Sequence, residues 1–253
     1  MTEERITSRQ NPLIRQIRRL LGSRAERYRS GLYAADGVKL LQEAVRWDAG
    51  LETVLLSDTV TLPDLPDAVR LVRVPRDLMQ WLSPMEAPQG VLFVCRMPDR
   101  PAPALQPGCL ILDGLQDPGN VGTILRTADA LQVPVLLTED CADPWNPKTV
   151  RASMGAVFRT QPMQISREQI ILLCRENGVP LAVTALAEDT QDIRAASLPD
   201  CAVVIGSEGS GVHAALLEAA GCRLRIPMSP RCESLNAAAA AAIVLWEMAK
   251  SAL

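Results

Sequence analysis

The 253-residue chain contains no C-x-x-C pair, only one histidine, no apolar run approaching membrane-spanning length and no phosphate loop ending in lysine. Each absence removes a class of protein. The seven cysteines (Cys95, Cys109, Cys141, Cys174, Cys201, Cys222, Cys232) are odd in number and widely scattered. They indicate neither a zinc site nor a disulfide framework, and no metal is expected. Several sit in apolar runs, such as Cys201 before Ala202-Val203-Val204-Ile205, where a free cysteine acts as a small hydrophobe in a reducing compartment. The lone histidine, His213, falls inside a predicted helix and reads as a surface residue. Neither Ser207 nor Ser210 lies in G-x-S-x-G, so a nucleophile elbow is missing. The opening Met-Thr-Glu-Glu-Arg lacks the apolar core of a signal peptide. A cytoplasmic protein with no membrane partner is the expectation.

What is present is 48% hydrophobic residues on a chain long enough for two modest domains. The formal charge of -3 and pI near 5.4 do not suit a nucleic-acid binder, but partners see local fields rather than averages. Residues 1 to 30 carry eight arginines, Arg15, Arg18 and Arg19 among them, against Glu3, Glu4 and Glu26, an excess of five positive charges. This segment is either a phosphate-binding arm or an amphipathic helix with a solvated face.

Residues 97 to 108 hold four prolines and a glycine without apolar periodicity and form the expected linker. Before it, a helix over about 12 to 29, a strand at 32 to 34, a helix over 37 to 48, a strand at 54 to 56, and strands near 69 to 74 and 90 to 95 around a short helix predict a small α/β domain, residues 1 to 96. After it, over residues 109 to 253, apolar runs at 110 to 112, 133 to 137, 181 to 184, 202 to 205 and 224 to 226 read as buried parallel strands. They alternate with helices at about 120 to 131, 147 to 155, 167 to 176, 211 to 220 and 234 to 251. The fold class is α/β with a parallel sheet.

Three segments follow predicted strand ends, where open α/β sheets gather ligands. The first runs from Asp113 through Gly114, Gly119, Asn120 and Gly122 to Arg126. Asn120, Thr123 and Arg126 recur every three residues on one helical face and suit a phosphate or a ribose edge; an ordinary helix start capped by Asn120 is the alternative. The second is Ile205-Gly206-Ser207-Glu208-Gly209-Ser210-Gly211, whose glycines let a ligand approach the backbone. The third runs Ile226-Pro227-Met228 to Glu233-Ser234-Leu235-Asn236 and into an alanine run, with Ser234 or Asn236 as helix cap. A dinucleotide-binding enzyme would need a glycine fingerprint that Gly114, Gly119 and Gly122 do not space correctly.

Together these segments resemble the three signature motifs of the SpoU (TrmH-like) branch of the SPOUT methyltransferases over roughly residues 108 to 250, and Lys148-Thr149-Val150-Arg151-Ala152-Ser153-Met154-Gly155-Ala156 matches a fourth family element. Less specifically, the N-terminal unit resembles an L30e/L7Ae-like substrate-binding domain, with Asp36-Gly37 in place of the usual Glu-Gly. The resemblance implies a C-terminal domain with a trefoil knot, a homodimer, and S-adenosyl-L-methionine as methyl donor to a ribose 2'-hydroxyl of structured RNA. The layout points to 23S ribosomal RNA, with transfer RNA as the alternative. A catalytically silent RNA-binding protein on the same fold is the rival reading. Carried over by position, the donor pocket comprises Leu186, Gly206, Ser207, Glu208, Ile226, Met228, Ser234, Leu235 and Asn236. Arg126 takes the catalytic role, assisted by Asn120, Glu208, Ser234 and Asn236; Arg15, Arg18, Arg19, Lys148 and Arg151 are the RNA contacts.

Overall fold

The computed structural model describes residues 3–58, 60, 65–99, 105–187 and 189–250. Residues 100–104 of the expected linker, and residue 251 at the end of the last predicted helix, lie outside them. The chain forms two compact units, one of Met1–Asp99 with Trp145–Arg159, the other of Arg100–Pro144 with Thr160–Leu253.

In the first unit the elements run β1 (Glu3–Arg5), α1 (Pro12–Gly22), α2 (Arg24–Ser30), β2 (Leu32–Asp36), α3 (Val38–Arg46), β3 (Leu51–Ser57), β4 (Arg70–Val74), α4 (Arg76–Leu82) and β5 (Val91–Arg96). They build a mixed sheet in the order β1-β4-β3-β5-β2, antiparallel where β5 meets β2 and β3 and parallel elsewhere. The single helix expected over 12 to 29 is two. Ser23 ends α1 and caps α2, its hydroxyl accepting from Glu26 N–H at 3.2 Å, and this Ser-x-x-Glu start signal was present in the sequence. Ile14, Ile17 and Leu20 of α1 and Leu78, Met79 and Leu82 of α4 bury one face of the sheet with Ala34, Leu55, Val72 and Leu92. Strand side chains alternate, so Tyr33, Leu56 and Phe93, also buried, point to the opposite face.

The segment Trp145–Arg159 packs in this unit although it lies deep in the second half of the sequence. It holds α6 (Pro147–Ala152) and α7 (Ala156–Thr160), where one helix over 147 to 155 was expected. The break is at Met154 and Gly155, both with positive φ, and a Cβ on Gly155 would come within 2.9 Å of Glu43 Cβ. The Trp145 ring stacks on Tyr33 at 4.7 Å, and Arg151 reaches the buried Asp36 carboxylate at 2.8 Å. A division at residue 96 is therefore one of sequence. Removing residues 1 to 96 would strip Tyr33 from Trp145 and Asp36 from Arg151.

The second unit contains β6 (Leu110–Asp113), α5 (Pro118–Ala130), β7 (Val135–Thr138), β8 (Met163–Ile165), α8 (Arg167–Glu176), β9 (Leu181–Thr184), β10 (Gln191–Asp192), β11 (Ala202–Gly206), α9 (Ala214–Ala219), β12 (Cys222–Arg225) and α10 (Ala237–Ala249). Its seven strands lie in the order β10-β12-β9-β11-β6-β7-β8, and every pair is parallel. The five expected strands are all there. The two at the edges, β8 and β10, are too short to show as apolar runs. Chain progression reverses between β6 and β11, which makes their carboxyl ends a topological switch point. Burial pushes the thiols of Cys95 and Cys109 up to about 12 and that of Cys174 to about 11, so they remain protonated core groups. Cys201 is only half-buried.

Candidate functional site

At the switch point Gly206 of β11 lies in register beside Asp113 of β6. The loop after β11 folds back on itself: Ser207 and Gly211 exchange backbone hydrogen bonds at 3.1 and 3.0 Å, and the Ser207 and Ser210 hydroxyls meet at 2.7 Å. Gly206 has a reason to be glycine besides ligand approach. A Cβ there would lie 2.1 Å from the Gly211 carbonyl carbon and 2.2 Å from Val212 N, so the chain's own backbone leaves no room for a side chain. Gly206→Ala is expected to abolish donor binding in calorimetric titration and to lower the thermal midpoint, because rigid backbone cannot yield to the new methyl. An alanine variant that binds normally would show the loop to be free to move.

This loop, the β9 end and the loop between β12 and α10 enclose a cavity of about 420 Å³, within the roughly 300–1,000 Å³ of small-molecule sites. Of the expected donor-pocket residues, Leu186, Gly206, Ser207, Glu208, Ile226, Met228, Ser234 and Leu235 all line it. Thr184, Ala185, Val212, Leu217, Leu224, Ala237 and Ala240 line it too and were not anticipated. Ala237 and Ala240 are three apart on α10, so their inward face was readable as helical spacing. Leu186 is 75% exposed, an apolar side chain at the lip.

Asn236 does not line the cavity; it ties the motifs together. It is the N-cap of α10, its Oδ1 accepting from the N–H groups of Ala238 and Ala239 at 3.0 and 3.3 Å. Its Nδ2 donates to Glu208 Oε1 at 3.0 Å and to Asn120 Oδ1 at 3.2 Å. Glu208 Oε1 also accepts from Asn120 Nδ2 and from Ala237 N–H, each at 3.0 Å. One carboxylate oxygen of the second motif thus gathers donors from the first and the third at the positive end of a 13-residue helix, where negative charge is favoured. With three donors on it, that oxygen joins the three motifs at one point.

The first motif corrects one expectation. Asp117, not Asn120, caps α5, its side chain accepting from Gly119 N–H at 3.1 Å, and Pro118 opens the helix. Asn120 lies within the first turn, turned to Glu208. Thr123 is occupied, its hydroxyl donating back to Gly119 O at 2.8 Å. Arg126 is exposed and does not line the cavity of its own chain. His213 is exposed, as expected, but it is the N-cap of α9 rather than a helix-interior residue.

The expected RNA contacts fare unevenly. Arg15 and Arg19 project from the exposed side of α1. Arg18 lies over the Trp81 ring at 5.0 Å and donates to Trp81 O at 2.9 Å, closing the end of α4. Elsewhere in the arm, Arg27 is buried on Leu20 O, Arg5 pairs with Asp58 and Arg29 with Glu26, so the positive excess overstates what a partner would meet. Lys148 is exposed on α6. Arg151 is committed to Asp36 and serves the first unit's packing instead of offering a free cation.

A crevice at the switch point of a parallel sheet, walled by loops and closed by a side-chain lock, defines a small-molecule-binding α/β domain joined to a second folding unit. The chain belongs to the SpoU rRNA Methylase family, whose sequence model matches residues 107–246; residues 11–92 match the MRM3-like substrate binding domain. It is similar to the Bacillus subtilis 23S rRNA (guanosine(2553)-2'-O)-methyltransferase RlmP, 30% identical over 247 residues covering 97% of this chain and 99% of that protein. Human mitochondrial rRNA methyltransferase 3 is 30% identical over 294 residues, covering 90% of this chain and 70% of that one. An AdoMet-bound rRNA methyltransferase from Sinorhizobium meliloti has the same fold, with a TM-score of 0.87, 29% identity and 99% of each chain covered.

Proposed function

We infer that this protein is an RNA methyltransferase that transfers a methyl group from S-adenosylmethionine to a ribose 2'-hydroxyl of 23S ribosomal RNA. The observation that carries this reading is the cavity built by the second and third motifs and locked to the first through Glu208. The fit to the donor is chemical. Ile226, Met228 and Leu235 give an apolar slot for adenine, and the backbone at the ends of β9 and β11 offers polar partners to the ribose and the amino-acid portion.

When bound, S-adenosylmethionine supplies an electrophilic methyl on a sulfonium. The chain's part is to hold a 2'-oxygen in line with that methyl and to exclude water, since charge is lost as oxyanion and sulfonium combine. Arg126 holds the neighbouring phosphate and steadies the developing oxyanion, a role that suits the fixed charge and planar fork of N–H donors of a guanidinium. Glu208, Asn120 and Asn236 keep the pocket in register, and Ser234 presents a hydroxyl at its wall.

A homodimer completes the site in this reading. α10 exposes a stripe of Ala239, Ile243 (38%) and Trp246 (55%), apolar and at helical spacing, which a second copy would cover. α5 packs against α10 and so carries Arg126 beside that face. The segment from β12 through α10 is assigned the family's trefoil knot, and the first unit the L30e-like substrate-binding role, with Arg15, Arg19 and Lys148 as phosphate contacts. No helix among the described residues is long and apolar enough to cross a membrane, and a cytoplasmic location fits the RNA substrate.

Two measurements test the function. Titration should show saturable S-adenosylmethionine binding, and 2'-O-methyl mapping should find one 23S rRNA nucleotide modified only in cells that carry the gene. Modification confined to transfer RNA would overturn the substrate assignment.

A further inference from the structure

Asp113 closes β6 and is 1% exposed, yet it is not needed for any step described above. Its two oxygens serve different parts of the unit. Oδ1 accepts from Arg167 Nε–H at 2.7 Å, and Oδ2 accepts from the backbone N–H of His213 at 2.7 Å. Arg167 spans to a second carboxylate, donating from Nη2 to Asp140 Oδ2 at 2.6 Å. Asp140 is fixed in turn by the Thr138 hydroxyl at 2.6 Å, and that same hydroxyl accepts Gly114 N–H at 2.9 Å. The group is a chain of hydrogen bonds running along the carboxyl ends of β6 and β7 to the start of α8.

His213 is where this chain of bonds meets the cavity. It directly follows Val212, which lines the cavity, and Gly211, whose backbone pairs with Ser207 and presses against Gly206. The wall formed by the loop after β11 is thus pinned at two places. At Glu208 it is tied to the cap of α10; at His213 it is tied to Asp113.

We propose that Asp113 is a positioning residue for the donor pocket, fixing the wall at Gly206 to Val212 through the His213 N–H, while Arg167 holds the carboxylate in place. A buried carboxylate is strongly selective for a geometry that supplies its donors, because an unmatched one is left without solvation. The wall therefore has one seated position, set by Asp113, Arg167, Asp140 and Thr138, none of which lines the cavity. The proposal rests on the reading of the cavity as the S-adenosylmethionine site.

His213 has φ of -62°, which a proline ring adopts without strain, so proline removes the key N–H and sets its ring Cδ against the Asp113 carboxylate, breaking that link. His213→Ala and His213→Pro both lose the imidazole that accepts from Ala215 N–H; only the proline also loses the bond to Asp113. In isothermal titration of the full-length protein, His213→Pro should weaken S-adenosylmethionine and S-adenosylhomocysteine about tenfold relative to His213→Ala, the effect of leaving one buried acceptor unpaired. Turnover at saturating donor should stay within about twofold, which a general loss of structure would not spare. Asp140→Asn, which leaves both bonds of Asp113 intact, should change donor affinity by less than about twofold. Equal affinities for His213→Pro and His213→Ala in folded proteins would overturn the proposal. Should the proline variant fail to fold, Arg167→Lys against Arg167→Met decides. Partial recovery of donor affinity by the lysine supports the role and equal affinities refute it. Failure of the unsubstituted protein to bind donor would instead remove the donor-site reading, and the proposal with it.

Discussion

Arg126→Ala is expected to lower the single-turnover methylation rate by about two orders of magnitude or more, in keeping with loss of a positioned catalytic group, while donor affinity stays unchanged. The separation follows from the geometry. The residues that line the donor cavity come from β9, β11, β12, α9, α10 and the loops after them, and none comes from the exposed side of α5, where Arg126 sits. Truncating it therefore leaves the pocket intact. Unaltered turnover with substrate RNA would take Arg126 out of the mechanism. Asn120→Ala should behave differently, because its amide belongs to the Glu208 lock, and its defect should appear first in donor affinity.

In a mixed dimer of Arg126→Ala with Leu235→Trp, methylation is expected to recover although each parent is inactive. Leu235 lines the cavity, and a tryptophan there should fill the proposed adenine slot, so the second variant is expected to lose donor binding. If a two-fold axis brings α5 of one subunit to the pocket of the other, one site in the mixed dimer combines an intact pocket with an intact arginine. If the arginine serves its own chain's pocket, every site carries one defect and no activity returns. A verified heterodimer that stays silent would sink the shared site. The proposed homodimer would cover the exposed Ile243 and Trp246 of α10, the helix that packs on α5, so Trp246→Glu should leave monomers in light scattering and silence the enzyme.

The motifs were legible because their residue types are constrained by chemistry or backbone geometry at fixed spacing. Glu208 and Asn236 had to be a carboxylate and a capping amide to bind one helix start, and eight of the nine expected pocket residues line one cavity. The parallel strands were legible too, because burial on both faces writes a continuous apolar run. Other features left little trace. β8 and β10 lie at the sheet edges and are three and two residues long, too short for any period to appear. Asp113 and Arg167 carry no local sign of their pairing, since 54 residues separate them and only the sheet order brings them together. Counting arginines in the first 30 residues could not distinguish the exposed Arg15 from Arg27, buried on a carbonyl in the same helical region.

By itself the sequence determined the α/β class, the order of the ligand-binding loops and the chemical character of the pocket, because backbone propensity, apolar patterning and glycine placement are local properties. Only the tertiary structure decided which charges are available and which are spent. It turned Arg151 from a free cation into the partner of Asp36, moved Trp145–Arg159 into the packing of the N-terminal unit, and added backbone crowding to the reasons for Gly206. Each of these depends on contacts between residues far apart in the chain. Such contacts are fixed by the close packing of a core, in which a side chain's role is set by the neighbour that happens to meet it.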